Sequence, residues 1–398
     1  MRRRLHTLPI FTLAILWLVG WTLRVPVLAT PPLATRIAES YGLEAMGIGA
    51  LTMLPVVAIA FGAIPATFLI GRFGLKAAIA FGVLLMAVAS TARGYAPSSL
   101  MLFSVSVVMG FGVALFQTAL PAATRVWTPR HIALGNAVYL NGMMVGEVSG
   151  AGLTLPLVLP LAGEDWRMAL FLWSVPILLI SLAATFVRAP KETNDAPEVG
   201  TQDPASTASL PNWNDACVWQ FGLLLAGSVV LFYVINSYIG VILDARGERD
   251  ALAWLLLLYN ATPLMASFAV LAAPGWIGRR RPIAASAGLA VLRLALFTFF
   301  SGWASWLGAL LTGFAASVEL ILLVSLPAVI AKGKAVTQLS AGMTLIGYGI
   351  AFPLPMIGGW FAEQVGWLEI SLIPSLVFGV AILILAGERR FPVYTWAR

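Results

Sequence analysis

Charged side chains are scarce in this sequence: Asp, Glu, Lys and Arg together make up 10% of its 398 residues, against about 25% in a water-soluble domain. So little charge cannot cover a water-facing surface, and a soluble globular fold is excluded. Cysteine occurs once, at Cys217, which rules out an intrachain disulfide framework and a cysteine-cluster metal site. Histidine occurs twice, as His6 and His131, both near the edges of apolar segments, so no histidine-rich metal constellation exists. No glycine-rich loop followed by Lys-Ser or Lys-Thr is present, which removes a nucleotide-driven engine; no cofactor is expected. The long membrane-edge loops with convergent His, Asp or Glu that a membrane-embedded enzyme needs are also missing. The net charge of +7 is dispersed among short loops without an aromatic-interleaved basic patch, which argues against nucleic acid as a partner.

What remains is hydrophobic: 60% of the residues are apolar or aromatic. Long apolar runs without strict alternation predict helices rather than a β-barrel. Segments of about 20 apolar residues are expected at 8–29, 45–69, 75–95, 98–124, 133–160 and 168–187, and again at 215–241, 251–276, 283–303, 304–330, 336–362 and 367–386. Very short turns near Lys76 and Gly302 divide two of these pairs. The basic start before the first run has the look of a secretory signal, but the run is too long and Pro31-Pro32 follow it, so an uncleaved first helix is expected.

Between the sixth and seventh segments lies Arg188–Asn214, rich in Pro, Thr, Ser, Asp and Glu. Such a stretch cannot bury enough surface to repay its ordering entropy and reads as a mobile linker. The chain therefore divides into 1–187, a linker 188–214, and 215–398. With the N-terminus inside, 17 Lys and Arg fall on the cytoplasmic side and 5 on the other. That bias orients both termini and the linker to the cytoplasm of a cell-membrane protein.

The two sides of the linker repeat each other. Gly71-Arg72 is echoed by Gly278-Arg279, Gly110-Phe111 by Gly313-Phe314, Pro121 by Pro327, Gly142-Met143 by Gly342-Met343, and Trp166 by Trp367, at offsets near 200 residues. Two six-helix halves in parallel repeat resemble transporters of the major facilitator type. The local patterns Leu51-Thr52-Met53-Leu54-Pro55, Gly71-Arg72-Phe73-Gly74, Gly110-Phe111-Gly112, Asp165-Trp166-Arg167 and Leu339-Ser340-Ala341-Gly342-Met343 are similar to those of the cyanate/2-nitroimidazole transporter family within that superfamily. The resemblance implies an all-α membrane protein, twelve transmembrane helices in two six-helix pseudo-repeats, that moves a small solute by alternating access. It also implies a cavity lined by helices 1, 4, 7 and 10. Two positions depart from the family pattern: Gln117 stands where an Asn is usual, and Gly71 replaces the acidic residue of the helix 2–3 loop.

Four charges fall deep in the segments: Arg24, Glu147, Arg293 and Glu319. Each costs about 2.5–3.5 kcal/mol at mid-helix and must face protein or a water-filled cavity. Counted from the linker-side ends, Arg24 and Glu147 lie roughly 24 and 21 Å deep, and Arg293 and Glu319 roughly 15 and 17 Å. Each pair is thus predicted to be level and to meet, either as a packing ion pair or in proton coupling. Arg24, Gln117, Tyr139, Asn141 and Asn236 are the expected substrate-binding residues, with Tyr233, Asn260 and Tyr348 behind them. The bland alternative for each Asn and Tyr is interhelical hydrogen bonding. Helix-interior prolines such as Pro26, Pro55, Pro263 and Pro353 are expected to bend helices. Trp21, Trp127, Trp166, Trp303, Trp360 and Trp367 are expected in an interfacial belt. The sequence reads as a monomeric secondary transporter of a small anionic or nitro-type solute, with protons as a coupling partner; a proton-driven drug exporter is the alternative.

Overall fold

The computed structural model describes residues 10–128, 131–185, 211–331 and 334–387. His6 and, apart from 211–214, the linker 188–214 lie outside the described residues. Among those described, every regular element is helical. This follows from the solvent: in hydrocarbon each backbone N–H and C=O must be bonded within the segment itself, and a helix does that locally.

In chain order the long helices are α1 (Ile10–Leu28), α2 (Ala45–Phe73), α3 (Leu75–Gly94), α4 (Ser99–Trp127) and α5 (Ile132–Leu153). A π turn at Thr154–Val158 carries α5 on to Leu161. Then come α6 (Trp166–Thr185), α7 (Ala216–Ala245), α8 (Leu252–Ala272), α9 (Arg280–Phe299) and α10 (Gly302–Ile330). The last two are α11, in two pieces (Lys334–Ala351 and Pro353–Val365), and α12 (Ile373–Gly387). Ten spans are long and apolar enough to cross a membrane, while α6 and α12 supply the shorter apolar stretches Trp166–Ile180 and Leu368–Ile384.

Local chemistry sets several boundaries. The Ser98 hydroxyl accepts the Met101 N–H at 3.3 Å to start α4, and the Asp215 carboxylate accepts the Cys217 N–H at 2.9 Å to start α7. The abrupt turns before α3 and α10 run through Gly74 (φ +81°) and Gly302 (φ +65°), a region that side chains with a Cβ rarely enter. Pro26, Pro55 and Pro263 sit inside their helices, and Pro353 opens the second piece of α11 where the helix is interrupted at Phe352.

The same neighbours recur on either side of the linker. α1 packs on α5 as α7 packs on α11; α3 packs on α4 as α9 packs on α10; α2 packs on α4 as α8 packs on α10. The segment 10–185 meets 211–387 through α2 against α11 and α5 against α8. α7 is buried around most of its circumference, as expected of a helix apolar on every face at the centre of a bundle. The tryptophans divide: Trp303 (75% exposed), Trp360 and Trp367 sit outside, whereas Trp127 and Trp166 are buried. The Trp166 indole donates to Ser40 Oγ at 2.8 Å, and that of Trp21 to Ser149 Oγ at 3.1 Å. These three are therefore packing residues rather than a belt.

The bundle has a linker end, where α6 stops and α7 begins, and a far end. The described hydrogen bonds between the two segments lie toward the far end. Glu363 Oε1 accepts the Met46 N–H at 2.6 Å, the Tyr238 hydroxyl lies 3.0 Å from the Ala45 carbonyl, and Thr52 Oγ1 is 2.5 Å from Ser237 Oγ. Gly359 allows the close approach: a Cβ there would lie 2.5 Å from the Ala45 and Met46 backbone.

Candidate functional site

The site begins at the seam between α1 and α5. Gly142, Gly146 and Gly150 recur every fourth residue and so share one face of α5. That face lies directly on the backbone of Trp17, Trp21 and Val25 of α1. The constant spacing between contacting residues makes the two helices parallel and in register. A small-residue stripe of this kind lets helices approach closely in lipid, where van der Waals contact, rather than water exclusion, drives association. The register brings Arg24 level with Glu147, and Arg24 Nε lies 3.3 Å from Glu147 Oε1 with each side chain 15% exposed.

That contact is a Coulomb attraction without a well-aligned hydrogen bond, since Nε has no partner of proper geometry. Among the described residues Arg24 donates no hydrogen bond at all. An arginine normally presents a planar fork of N–H groups suited to paired oxygen acceptors; here the fork is uncommitted.

Arg24 and Glu147 face a cavity of about 60 Å³ between the two segments, otherwise walled by α7, α8, α10 and α11. Since one water needs about 10–15 Å³ by the same measure, the space suits a solute of few atoms. Tyr233 of α7 and Tyr348 of α11 share the cavity wall with Arg24, as do Phe232 and Ser317. The Ser317 hydroxyl donates to the Gly313 carbonyl at 2.7 Å and that of Ser228 to Ala316 at 2.8 Å, leaving their oxygens as acceptors. A larger cavity, about 220 Å³, lies at the far end. Its charges are already paired within their own segments, Arg36 with Glu164 at 2.6 Å and Arg249 with Asp244 at 3.5 Å. Arg249 there is 61% exposed, whereas Arg24 at the smaller cavity is 15% exposed, so it is the smaller cavity that holds a largely buried cation without a hydrogen bond.

Residues 10–353 match the family described as Major Facilitator Superfamily. The chain belongs to this superfamily. Among curated relatives it is similar to the 2-nitroimidazole transporter of Escherichia coli (strain K12), 30% identical over 251 residues, 62% of each chain. It is also similar to the cyanate transport protein CynX of the same organism, 24% identical over 247 residues, 62% of this chain and 58% of the relative. The chain thus spans about three-fifths of the length of these two relatives. Its fold matches the crystal structure of a bacterial homolog to the human lysosomal transporter Spinster, in an inward-facing and occupied conformation, with TM-score 0.75 over 97% of both chains at 16% identity. The two curated relatives are transporters rather than enzymes by name, and the chain shares the superfamily model and its multi-pass helical fold.

In this superfamily member the residues singled out from sequence fall in different places. Arg24, Glu147, Tyr233 and Tyr348 converge on the cavity. Asn141 does not: its Oδ1 accepts the Trp17 indole N–H at 2.9 Å, a bond between α1 and α5. Tyr139 is buried, with its backbone against Gly20. Gln117 of α4 is absent from the cavity wall, and its Oε1 is buried without a protein partner. Asn236 is bonded to Asn260.

The expected pairing of Arg293 with Glu319 is not found. Among the described residues no ion pair joins them, Arg293 Nε has no partner, and neither carboxylate oxygen of Glu319 has one although the residue is 1% exposed. The reason is register. A Cβ on Gly308 would lie 2.8 Å from the Arg293 carbonyl, so those two residues are level. Glu319 comes eleven residues later, about 16 Å further along α10. α10 has 29 residues to the 20 of α9, and the helices are not flush at the linker end.

One buried charge escaped the sequence reading. Arg93, which is not among the four deep charges read from the sequence, is 1% exposed in the last turn of α3, where Nη1 lies 3.2 Å from Met109 Sδ. Proximity to the free carbonyls of a helix C-terminus favours a cation there; its position at the end of an apolar run was the available signal. The Gly142-Gly146-Gly150 spacing was a second readable signal, for the seam that builds the site.

Proposed function

We propose that the chain is a secondary active transporter moving a small anionic or nitro-type solute across the inner membrane by alternating access. The observation that carries this reading is the uncommitted guanidinium of Arg24 beside a 60 Å³ cavity between the two segments. Cyanate and nitro groups both present oxygens that accept N–H donors, and the names of the two curated relatives point to the same chemistry. In the empty protein Glu147 holds Arg24 by charge alone. An incoming oxyanion or nitro group makes the aligned hydrogen bonds that Glu147 does not, and Tyr233 and Tyr348 offer phenol donors from the second segment.

On this reading 1–187 and 215–398 are halves that rock about the cavity, joined by 188–214, with both termini cytoplasmic. The bonds Thr52–Ser237 and Met46–Glu363 then close the outer side, and the cavity faces inward. A reporter active only in the cytoplasm, fused after Arg398, is expected to give signal; activity of a periplasm-only reporter there overturns the orientation.

Glu319 is the proposed proton carrier. A buried carboxyl without a partner is costly to ionise and changes state most readily by exchanging a proton. Glu319→Gln is expected to keep the parent's thermal stability while its uptake no longer follows an imposed pH gradient. Uptake that still tracks the gradient removes Glu319 from the coupling.

Transport itself is tested by counterflow into proteoliposomes with cyanate, nitrite, small carboxylates and 2-nitroimidazole. Saturable counterflow of at least one of these, without ATP, is expected; counterflow of none sinks the reading.

A further inference from the structure

Beyond the Arg24 cavity, toward the far end, lies a second polar feature. Asn236 of α7 and Asn260 of α8 are each 1% exposed. Asn260 Nδ2 donates to Asn236 Oδ1 at 3.0 Å and to the Leu256 carbonyl at 3.0 Å. The other two amide atoms, Asn236 Nδ2 and Asn260 Oδ1, are buried with no protein partner. Exchanging N and O in both amides reverses the bond but still leaves one donor and one acceptor over, so the count does not depend on the assigned orientation.

Position gives this pair its meaning. Phe232 and Tyr233 line the Arg24 cavity, and Asn236 follows them by one helical turn on the same face, about 5 Å nearer the far end. Pro263 lines it from α8, and Asn260 precedes Pro263 by three residues, again on the far-end side. The next residue of α7, Ser237, makes the contact with Thr52 that helps to close the far end. Neither amide is in the wall of the cavity itself; unlike Gln117, both stand one turn beyond residues that are, between the cavity and the closure.

Two polar groups next to the pair on α8 are taken up within the protein. Pro263 cannot donate to the Tyr259 carbonyl, and the Thr262 hydroxyl does so instead at 2.7 Å. The Tyr259 hydroxyl is likewise bonded, to the Phe232 carbonyl at 2.7 Å. The donor and the acceptor left over on the hydrogen-bonded amide pair are not taken up, and such buried groups call for an explanation, here a ligand.

We propose that Asn236 and Asn260 form a second solute contact, adjoining the Arg24 cavity, which selects solutes carrying a hydrogen-bond donor next to an acceptor. The inference rests on the Arg24 cavity being the solute site. A nitroazole carries groups matching both features: its nitro oxygens suit Arg24, and its ring N–H and ring nitrogen suit the free Asn260 acceptor and Asn236 donor. Cyanate has only acceptors and leaves Asn260 Oδ1 unpaired. The pair therefore favours azoles over the bare anion.

The test compares equilibrium binding of 2-nitroimidazole, 1-methyl-2-nitroimidazole and cyanate to the parent and to Asn236→Leu/Asn260→Leu, which removes both amides together. The double variant is expected to lose about 10- to 100-fold in affinity for 2-nitroimidazole, the loss of two buried hydrogen bonds, and to bind cyanate as the parent does. N-methylation of the solute is expected to cost about tenfold in the parent and nothing further in the variant. The methylated solute probes the parent alone and so decides the matter even where the double variant does not fold. Equal binding of the methylated and unmethylated solutes by the parent overturns the proposal, as does a parallel loss for azole and cyanate in the variant. If the parent binds neither cyanate nor 2-nitroimidazole, the Arg24 reading fails and this one with it.

Discussion

Arg24→Lys is expected to weaken solute binding by about 10- to 100-fold, the range of a lost pair of charge-assisted hydrogen bonds, while thermal stability stays near that of the parent. Lysine keeps the positive charge that faces Glu147, so the Coulomb contact at 3.3 Å survives in kind. What it loses is the planar fork, and on this account the fork is what reads the solute's oxygens. Removing the charge altogether needs a second change, because Arg24→Ala leaves Glu147 in a half-closed cavity without its partner, and an uncompensated buried charge is strongly destabilising. Arg24→Gln/Glu147→Gln removes both charges and is expected to fold, yet to bind none of the anionic or nitro solutes. The check is equilibrium binding beside a melting curve for each variant. Parent-like binding by both variants makes Arg24 a packing residue and favours a neutral solute.

Gly146→Val is expected to disrupt assembly at the level of the site. A Cβ at this position would lie 2.5 Å from the Trp21 carbonyl oxygen and 3.2 Å from the Trp21 Cα. These are backbone atoms, so no rotamer change relieves the overlap, and α1 has to part from α5. Overpacking in a well-packed interior costs about 1–3 kcal/mol, and a β-branched side chain against backbone belongs at the upper end. The same separation pulls Arg24 out of register with Glu147. The expected result is a lower melting temperature and loss of monodisperse protein in detergent. Gly71→Val, whose Cβ would meet nothing within 4 Å, serves as the neutral control. Equal stability of the Gly146 and Gly71 variants contradicts the seam.

The contrast between the two charge pairs shows what the sequence carries and what it withholds. Spans were readable because hydrocarbon thickness imposes a length on each, and the helix bounds differ from the expected ones by only a few residues. Depth counting then placed Arg24 beside Glu147 because α1 and α5 run parallel from the same end. It failed for Arg293 and Glu319 because α9 and α10 form a hairpin of unequal arms, so distances from the linker end do not share an origin. Only the contact of Gly308 with the Arg293 carbonyl fixes that register.

The polar residues divide in a similar way. Asn141 was as plausible a solute contact as Tyr233, since both are polar groups in apolar helices. Which of them faces the cavity depends on the rotation of each helix, and small-residue seams set that rotation. The spacing Gly142-Gly146-Gly150 was visible in the sequence, but its partner was not: nothing in α5 alone names α1.

The central claim, that the cavity recognises oxygen acceptors through Arg24, is tested most directly by counterflow of a matched pair of solutes into proteoliposomes holding the parent protein. 2-Nitroimidazole and 2-methylimidazole share a ring and differ in whether they carry the oxygens. The account predicts saturable counterflow of 2-nitroimidazole, abolished in Arg24→Gln/Glu147→Gln, and none of 2-methylimidazole. Equal counterflow of the two, or transport of 2-nitroimidazole unchanged in the double variant, contradicts it.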